Sequence, residues 1–141
     1  MAGTQRQRAR ELVLKALYAE DVGEGDHEEI KNVIITDDSL SENTVLFGRT
    51  LFAQLAEHRQ WADEIISSLA ENWDIDRIAR IDRSIMQMAL VELREMPDIP
   101  VKVVLNEAIE LAKKYSTGES AGFINGILDR YVKEMMEKRP I

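Results

Sequence analysis

Apolar residues recur along this chain at intervals of three and four. Nowhere do they alternate with polar residues over a useful length, so the pattern predicts helices and no sheet. It is clearest over 99–115, where Val101, Val104, Leu105, Ala108, Leu111, Ala112 and Tyr115 mark one buried face. Pro100 suits the first helical position, where its missing N–H would have no partner anyway. Beyond Ser116-Thr117-Gly118, the pair Ser116 and Glu119 reads as a capping box for a further helix. Its stripe is Phe123, Ile124, Ile127, Leu128, Tyr131 and Met135. The two form a hairpin onto which the other helices are expected to pack.

From the amino terminus, Thr4 and Gln7 predict the cap of a first helix running to about Val22, with Ala9, Leu12, Val13, Ala16 and Leu17 inward. Gly23 and Gly25 end it, and 26–36 reads as a short helix. Ser39 with Glu42 predicts the start of the longest element, running to about Asn72. Its seam is Val45, Gly48, Phe52, Leu55, Ala62, Ile66 and Leu69. Trp61 and Trp73 suit core or edge packing, with a nucleobase platform as the alternative. After a connector over 73–80 holding one helical turn, Ile81, Ile85, Met88, Ala89 and Leu93 mark a helix ending before Pro97. Pro97-Asp98-Ile99-Pro100 is a stiff turn into the hairpin. Asn106 and Asn125 interrupt apolar stretches, so each amide is expected to bond across a helix–helix contact, with close backbone approach explaining Gly126. The charged stretch 133–139 is expected to fray.

A chain of 141 residues suits one domain with a genuine core. Hydrophobic content of 45% beside 31% charged residues fits an ordinary soluble protein, and no stretch approaches the ~18 apolar residues of a membrane span. With no secretory signal pattern, a cytoplasmic location is expected. The absence of cysteine removes disulfides, thiolate metal sites and thiol nucleophiles together. No glycine-rich phosphate loop occurs, and His27 and His58 have neither a Ser–Asp context nor metal-ligand spacing. Glu107 and Glu110 sit at the spacing of a solvated helix face. The reading is therefore a protein without catalytic residues, metal or cofactor.

Charge adds one positive indication. The net charge is −8, yet residues 1–20 place Arg6, Arg8, Arg10 and Lys15 against only Glu11 and Glu20. Arg6 and Arg10 lie one turn apart on one face and Arg8 points elsewhere. Cations at a helix amino terminus oppose its dipole at about 0.3–1 kcal/mol each, so stability alone would not choose them. A small, oriented phosphate contact accounts for them, and a solvated basic tail is the alternative. Phe123, in the first turn of the last helix, reads equally as core packing or as an aromatic that stacks an unpaired base. Tyr18 is similarly balanced between packing and contact.

Four dispersed stretches carry a resemblance over essentially the whole chain. They are Arg8-Ala9-Arg10-Glu11 with Ala16-Leu17-Tyr18, then Ile81-Asp82-Arg83 with 89–93, then 99–113 with Asn106-Glu107-Ala108, then Phe123-Ile124-Asn125-Gly126-Ile127-Leu128-Asp129. In these the sequence resembles the NusB family of bacterial transcription antitermination factors. The resemblance implies an all-α, non-enzymatic protein of two small helical bundles packed into one compact domain. It implies binding to boxA single-stranded RNA together with NusE, a small-subunit ribosomal protein, and indirect contact with other Nus factors and RNA polymerase during ribosomal RNA synthesis. By position it assigns Arg6, Arg8, Arg10, Glu119 and Phe123 to RNA, and Tyr18 and Asp82 to the NusE contact. Gln7, Gln87 and Gly122 depart from basic residues common in relatives, which implies weaker phosphate contact and greater reliance on the partner. A protein-only helical adaptor, and an RNA-binding module serving a separate rRNA-modifying enzyme, are the alternatives. For the free protein, a homodimer through the acidic face stands beside a monomer.

Overall fold

The computed structural model describes residues 2–71 and 74–136. Among these the chain is helical throughout, with six α-helices and no strand. No helix of the described residues is long and apolar enough to cross a membrane. The chain divides into two compact units, one reaching Ala56 and the other beginning at Glu57.

The first unit holds α1 (Ala2–Asp21), α2 (His27–Ile34) and the first half of α3 (Glu42–Leu69). The inward face of α1 is the predicted one, since Ala9, Leu12, Val13, Ala16 and Leu17 are all buried. The helix begins at Ala2, ahead of the expected cap at Thr4. Gly23, at φ +75°, turns the chain out of α1, and the Glu24 N–H bonds back to the Ala19 carbonyl at 3.0 Å. Asp26 caps α2 by accepting from the Glu29 N–H at 2.9 Å. His27, surrounded by acids in the sequence, stacks flat on Phe52 at 4.3 Å between centroids and bonds Glu20 through Nδ1 at 2.9 Å.

The start of α3 differs from expectation. Ser41 is the cap, its hydroxyl accepting from the Thr44 N–H at 3.1 Å. Ser39 instead folds onto Asp37, donating its N–H and hydroxyl to Oδ1 at 2.8 and 2.6 Å. A short side chain already committed to that Asx turn cannot also reach forward to a helix. The Gln5 side chain ties α1 to this point, accepting from the Thr44 hydroxyl at 2.7 Å and the Ser41 N–H at 3.2 Å.

The second unit holds the rest of α3, a 3₁₀ turn (Ile75–Arg77), α4 (Arg80–Glu95), α5 (Val101–Tyr115), α6 (Gly118–Arg130) and a π-helical turn (Tyr131–Met135). The α5–α6 hairpin forms, and both its helices pack on α4. The centre of this unit, however, is α4, which is buried at every residue from Ser84 to Leu93. Its polar Ser84, Gln87 and Glu92 disguise an all-round buried helix as an amphipathic one. Trp61 packs as expected, edge-on to Tyr131 with the Arg94 guanidinium 4.7 Å from its ring. Trp73 lies outside the described residues, as does the end of the charged stretch beyond Met136.

Four expectations for α5, α6 and the turn that follows are corrected. Thr117, not Ser116, caps α6, accepting from the Ser120 N–H at 3.0 Å. Ser116 instead closes the end of α5 as its C-cap, its N–H bonded to the Ala112 carbonyl at 2.8 Å. Asn106 and Asn125 are exposed rather than bonded across a helix contact. Gly126 faces open space, with nothing within 4 Å of where a Cβ would stand. The inward stripes, Val104, Ala108, Leu111 and Ala112 on α5 and Ala121, Ile124, Ile127 and Leu128 on α6, leave these positions on the outer faces. Tyr115 and Met135, read as inward, are also exposed.

Candidate functional site

Each unit presents one candidate surface. In the first, the basic start of α1 is held by Phe47 of α3, a buried aromatic that the predicted seam omits. The guanidinium carbons of Arg6 and Arg10 lie 4.4 and 5.1 Å from the Phe47 ring centre. Cation–π contacts of this kind contribute about 0.5–1 kcal/mol when exposed and ~2 when desolvated. The two arginines share a face, as their spacing predicts, but their environments diverge. Arg10 is only 2% exposed, whereas Arg6 remains half-buried with a route to solvent. Arg10 therefore anchors α1 to α3, and Arg6 is the one positioned at the surface.

Arg8 points elsewhere, also as predicted, and is bridged. Its Nε donates to Asp37 at 3.1 Å and its Nη1 to Glu11 at 3.3 Å. Asp37 holds the guanidinium pKa above its usual value, with Glu11 adding to the effect and partial burial opposing it. The same cluster acts on Asp37. Hydrogen bonds from the Ser39 hydroxyl and N–H, then from Arg8, lower its carboxyl pKa from 3.8 to about 2. Tyr18, farther along α1, is 60% exposed, so at this position packing gives way to availability for contact.

The second surface is a cleft of about 270 Å³ formed where the amino-terminal turns of α4 and α6 meet. It brings together Asp82, Glu119 and Phe123, which lie far apart in sequence, along with Arg77, Ile78, Ala79, Thr117 and Ser120. Asp82 sits in the first turn of α4, where the helix dipole favours a carboxylate. It is 6% exposed, and its Oδ2 accepts a 2.7 Å bond from the Ser120 hydroxyl. Its Oδ1 is buried with no hydrogen-bond partner among the described residues. An unsatisfied acceptor of this kind costs about 1–3 kcal/mol, which makes it the most conspicuous atom of the cleft. Ser120 is held in turn by Ser116 and Thr117, whose hydroxyls lie 3.0 and 3.1 Å from its own. Phe123 is half-buried, between core and surface, and Glu119 is exposed.

Gln87, where relatives were expected to carry a surface arginine, is 1% exposed. Its Oε1 accepts from Arg59 Nε at 2.7 Å and its Nε2 donates to Asp63 Oδ1 at 2.6 Å. Its departure from arginine therefore bears on packing between α3 and α4, not on a surface phosphate contact. Gly122 is exposed with open space around it. Sequence reasoning missed Phe47, Arg77 and Ser120. Phe47 was legible as the start of a second seam, since it and Leu51 precede Leu55 at intervals of four. Ser120 follows from the cap once Thr117 is recognised as its first residue. Nothing in the sequence marks Arg77.

A family model described as the NusB family matches residues 7–133. Relatives named transcription antitermination protein NusB include that of Salinibacter ruber, 39% identical over 138 residues and covering 96% of this chain and 85% of the relative. Another, from Trichlorobacter lovleyi, is 43% identical over 124 residues, covering 88% and 87% of the two chains. The solved structure of T. maritima NusB superposes with a TM-score of 0.85 at 36% identity, covering 94% of this chain and 93% of that one.

Proposed function

Because the chain belongs to the NusB family of transcription antitermination proteins, a non-enzymatic family, we propose that it acts as one domain, as an adaptor that binds boxA-type single-stranded RNA together with NusE. The observation that carries this reading is the cleft. Asp82, Glu119 and Phe123 were assigned to RNA or partner from separate stretches of sequence, and they line one concave surface. A half-buried aromatic on its lining suits stacking of an unpaired base, worth about 1–3 kcal/mol where it occurs. The start of α1 supplies the phosphate contact, through Arg6 stacked on Phe47 and through Arg8 at the cost of its bridge to Asp37. Arg10 supports the surface from beneath. The exposed Tyr18 supplies a contact to NusE. The net charge of −8 complements a basic ribosomal protein and disfavours indiscriminate coating of RNA. Other Nus factors and RNA polymerase are reached through these two partners.

The test is binding to a short boxA RNA against an unrelated RNA of equal length, with and without NusE, across a salt series. For single strands, log affinity falls with log salt by about 0.7 per phosphate neutralised. The expected result is sequence selectivity strengthened by NusE, with Arg6→Ala flattening the slope by about 0.7. Arg10→Ala should instead lower thermal stability, because it removes a buried anchor. Absence of selectivity even with NusE bound would overturn the RNA half and leave a protein-only scaffold.

A further inference from the structure

Asp82 carries more than a place at an interface. It is enclosed, its Oδ2 is fixed by Ser120 at 2.7 Å, and its Oδ1 has no hydrogen-bond partner among the described residues. A carboxylate oriented by one hydrogen bond and unsatisfied at its other oxygen is a preorganised acceptor awaiting a donor. The terminal carboxylate torsion is soft, so an oxygen can turn to the cleft with little penalty while Ser120 follows the other. Around it, Ile78, Ala79 and Phe123 supply apolar surface, and Arg77 supplies a cation. A volume of about 270 Å³ suits a single ring or side chain rather than a folded segment.

The choice of occupant follows from these neighbours. A lysine side chain would find Asp82 and Glu119 but leave the ring of Phe123 without a planar partner, and an arginine, though planar, would bring its full positive charge against Arg77 on the same lining. A nucleobase matches each feature. Its face lies on Phe123, its edge presents an N–H to Asp82, and its phosphate has Arg77 on the cleft lining. We propose that Asp82 is a base-selecting residue, accepting an N–H from an exocyclic amino group of the base stacked against Phe123. The cleft then favours adenine, cytosine or guanine over uracil, whose single edge N–H is flanked by two carbonyl oxygens that a carboxylate repels. This rests on the reading of Phe123 as an RNA contact, and it moves Asp82 from the protein partner to the RNA.

The experiment uses nucleoside monophosphates rather than boxA RNA, so it stands apart from the adaptor reading. The ¹⁵N-labelled full chain is titrated with matched pairs differing in the amino group: CMP against UMP, GMP against IMP, and AMP against purine riboside monophosphate. The amino-bearing member of each pair should bind roughly tenfold more tightly, the effect of one hydrogen bond to a charged acceptor. It should also shift the amides of Ser120 and Phe123, and Asp82→Ala, which removes the acceptor, should abolish the preference. Equal affinities within the pairs would overturn the proposal, and this comparison stands on the wild-type protein whether or not the variant folds. A preference that survives in Asp82→Ala would overturn it too. So would methylguanidinium, standing in for a partner's arginine, shifting these amides where no nucleotide does. Nucleotide preference without boxA selectivity would keep the pocket and sink the adaptor, and the converse would sink the pocket alone.

Discussion

Gly48 and Gly126 are both helical glycines, and they answer to opposite constraints. A Cβ at Gly48 would stand 2.9 Å from Cγ2 of Ile35, a β-branched side chain that is itself fully buried and has nowhere to go. At Gly126 it would meet nothing. Replacing glycine by alanine inside a helix gains up to about 1 kcal/mol of propensity, and overpacking a tight core costs about 1–3 kcal/mol. Gly48→Ala should therefore lower the urea midpoint and Gly126→Ala should raise it, with unchanged slopes in both. Asp37 gives a second prediction at this scale. Its folded pKa, about 2, lies below the ordinary 3.8, so its contribution to stability is full above about pH 4 and is lost as pH falls toward 2. Carboxyl NMR should place its midpoint near 2, and Ser39→Ala should move that midpoint upward, since the Ser39 hydroxyl is the largest cause.

Among the elements, α3 and α4 are joined by a polar network. Arg83 clamps Asp63 through two bonds of 3.1 and 2.7 Å, and Gln87 bridges Asp63 to Arg59. Such a network fixes the register of two helices whose apolar surfaces alone would tolerate sliding. Gln87→Ala should cost about 1–3 kcal/mol in urea unfolding, because it removes hydrogen bonds to two part-buried charged groups, Arg59 and Asp63. The exposed Asn125→Ala should stay within about 0.5 kcal/mol. The same contrast explains the misread asparagines. An apolar stretch with a polar interruption looks identical whether the interruption faces a neighbour or solvent, and only the inward direction of the stripe separates the cases. Caps fail for a related reason. Ser39, Ser41, Ser116 and Thr117 all have side chains able to cap, and the choice falls to whichever is not already engaged by Asp37 or by the end of α5.

Across the whole molecule, the charge distribution is a property of the sequence and needs no fold: a locally basic stretch over residues 1–20 and a net −8. The helical class was equally legible, because three- and four-residue spacing admits no sheet, and so was the inward face of α1, whose stripe is unbroken from Ala9 to Leu17. Arg8 was placed apart from Arg6 and Arg10 by helical geometry alone. Tertiary structure decided what periodicity cannot carry. It made α4 rather than the α5–α6 hairpin the centre of its unit, because a helix buried all round has no polar face to reveal it. It turned Arg10 from a surface cation into an anchor under Phe47, since burial depends on what α3 brings across. It also gathered Asp82, Glu119 and Phe123 into one cleft and left a carboxylate oxygen there with no partner among the described residues. A spacing rule describes one helix at a time, and a site built by two helix starts exists only once both are packed.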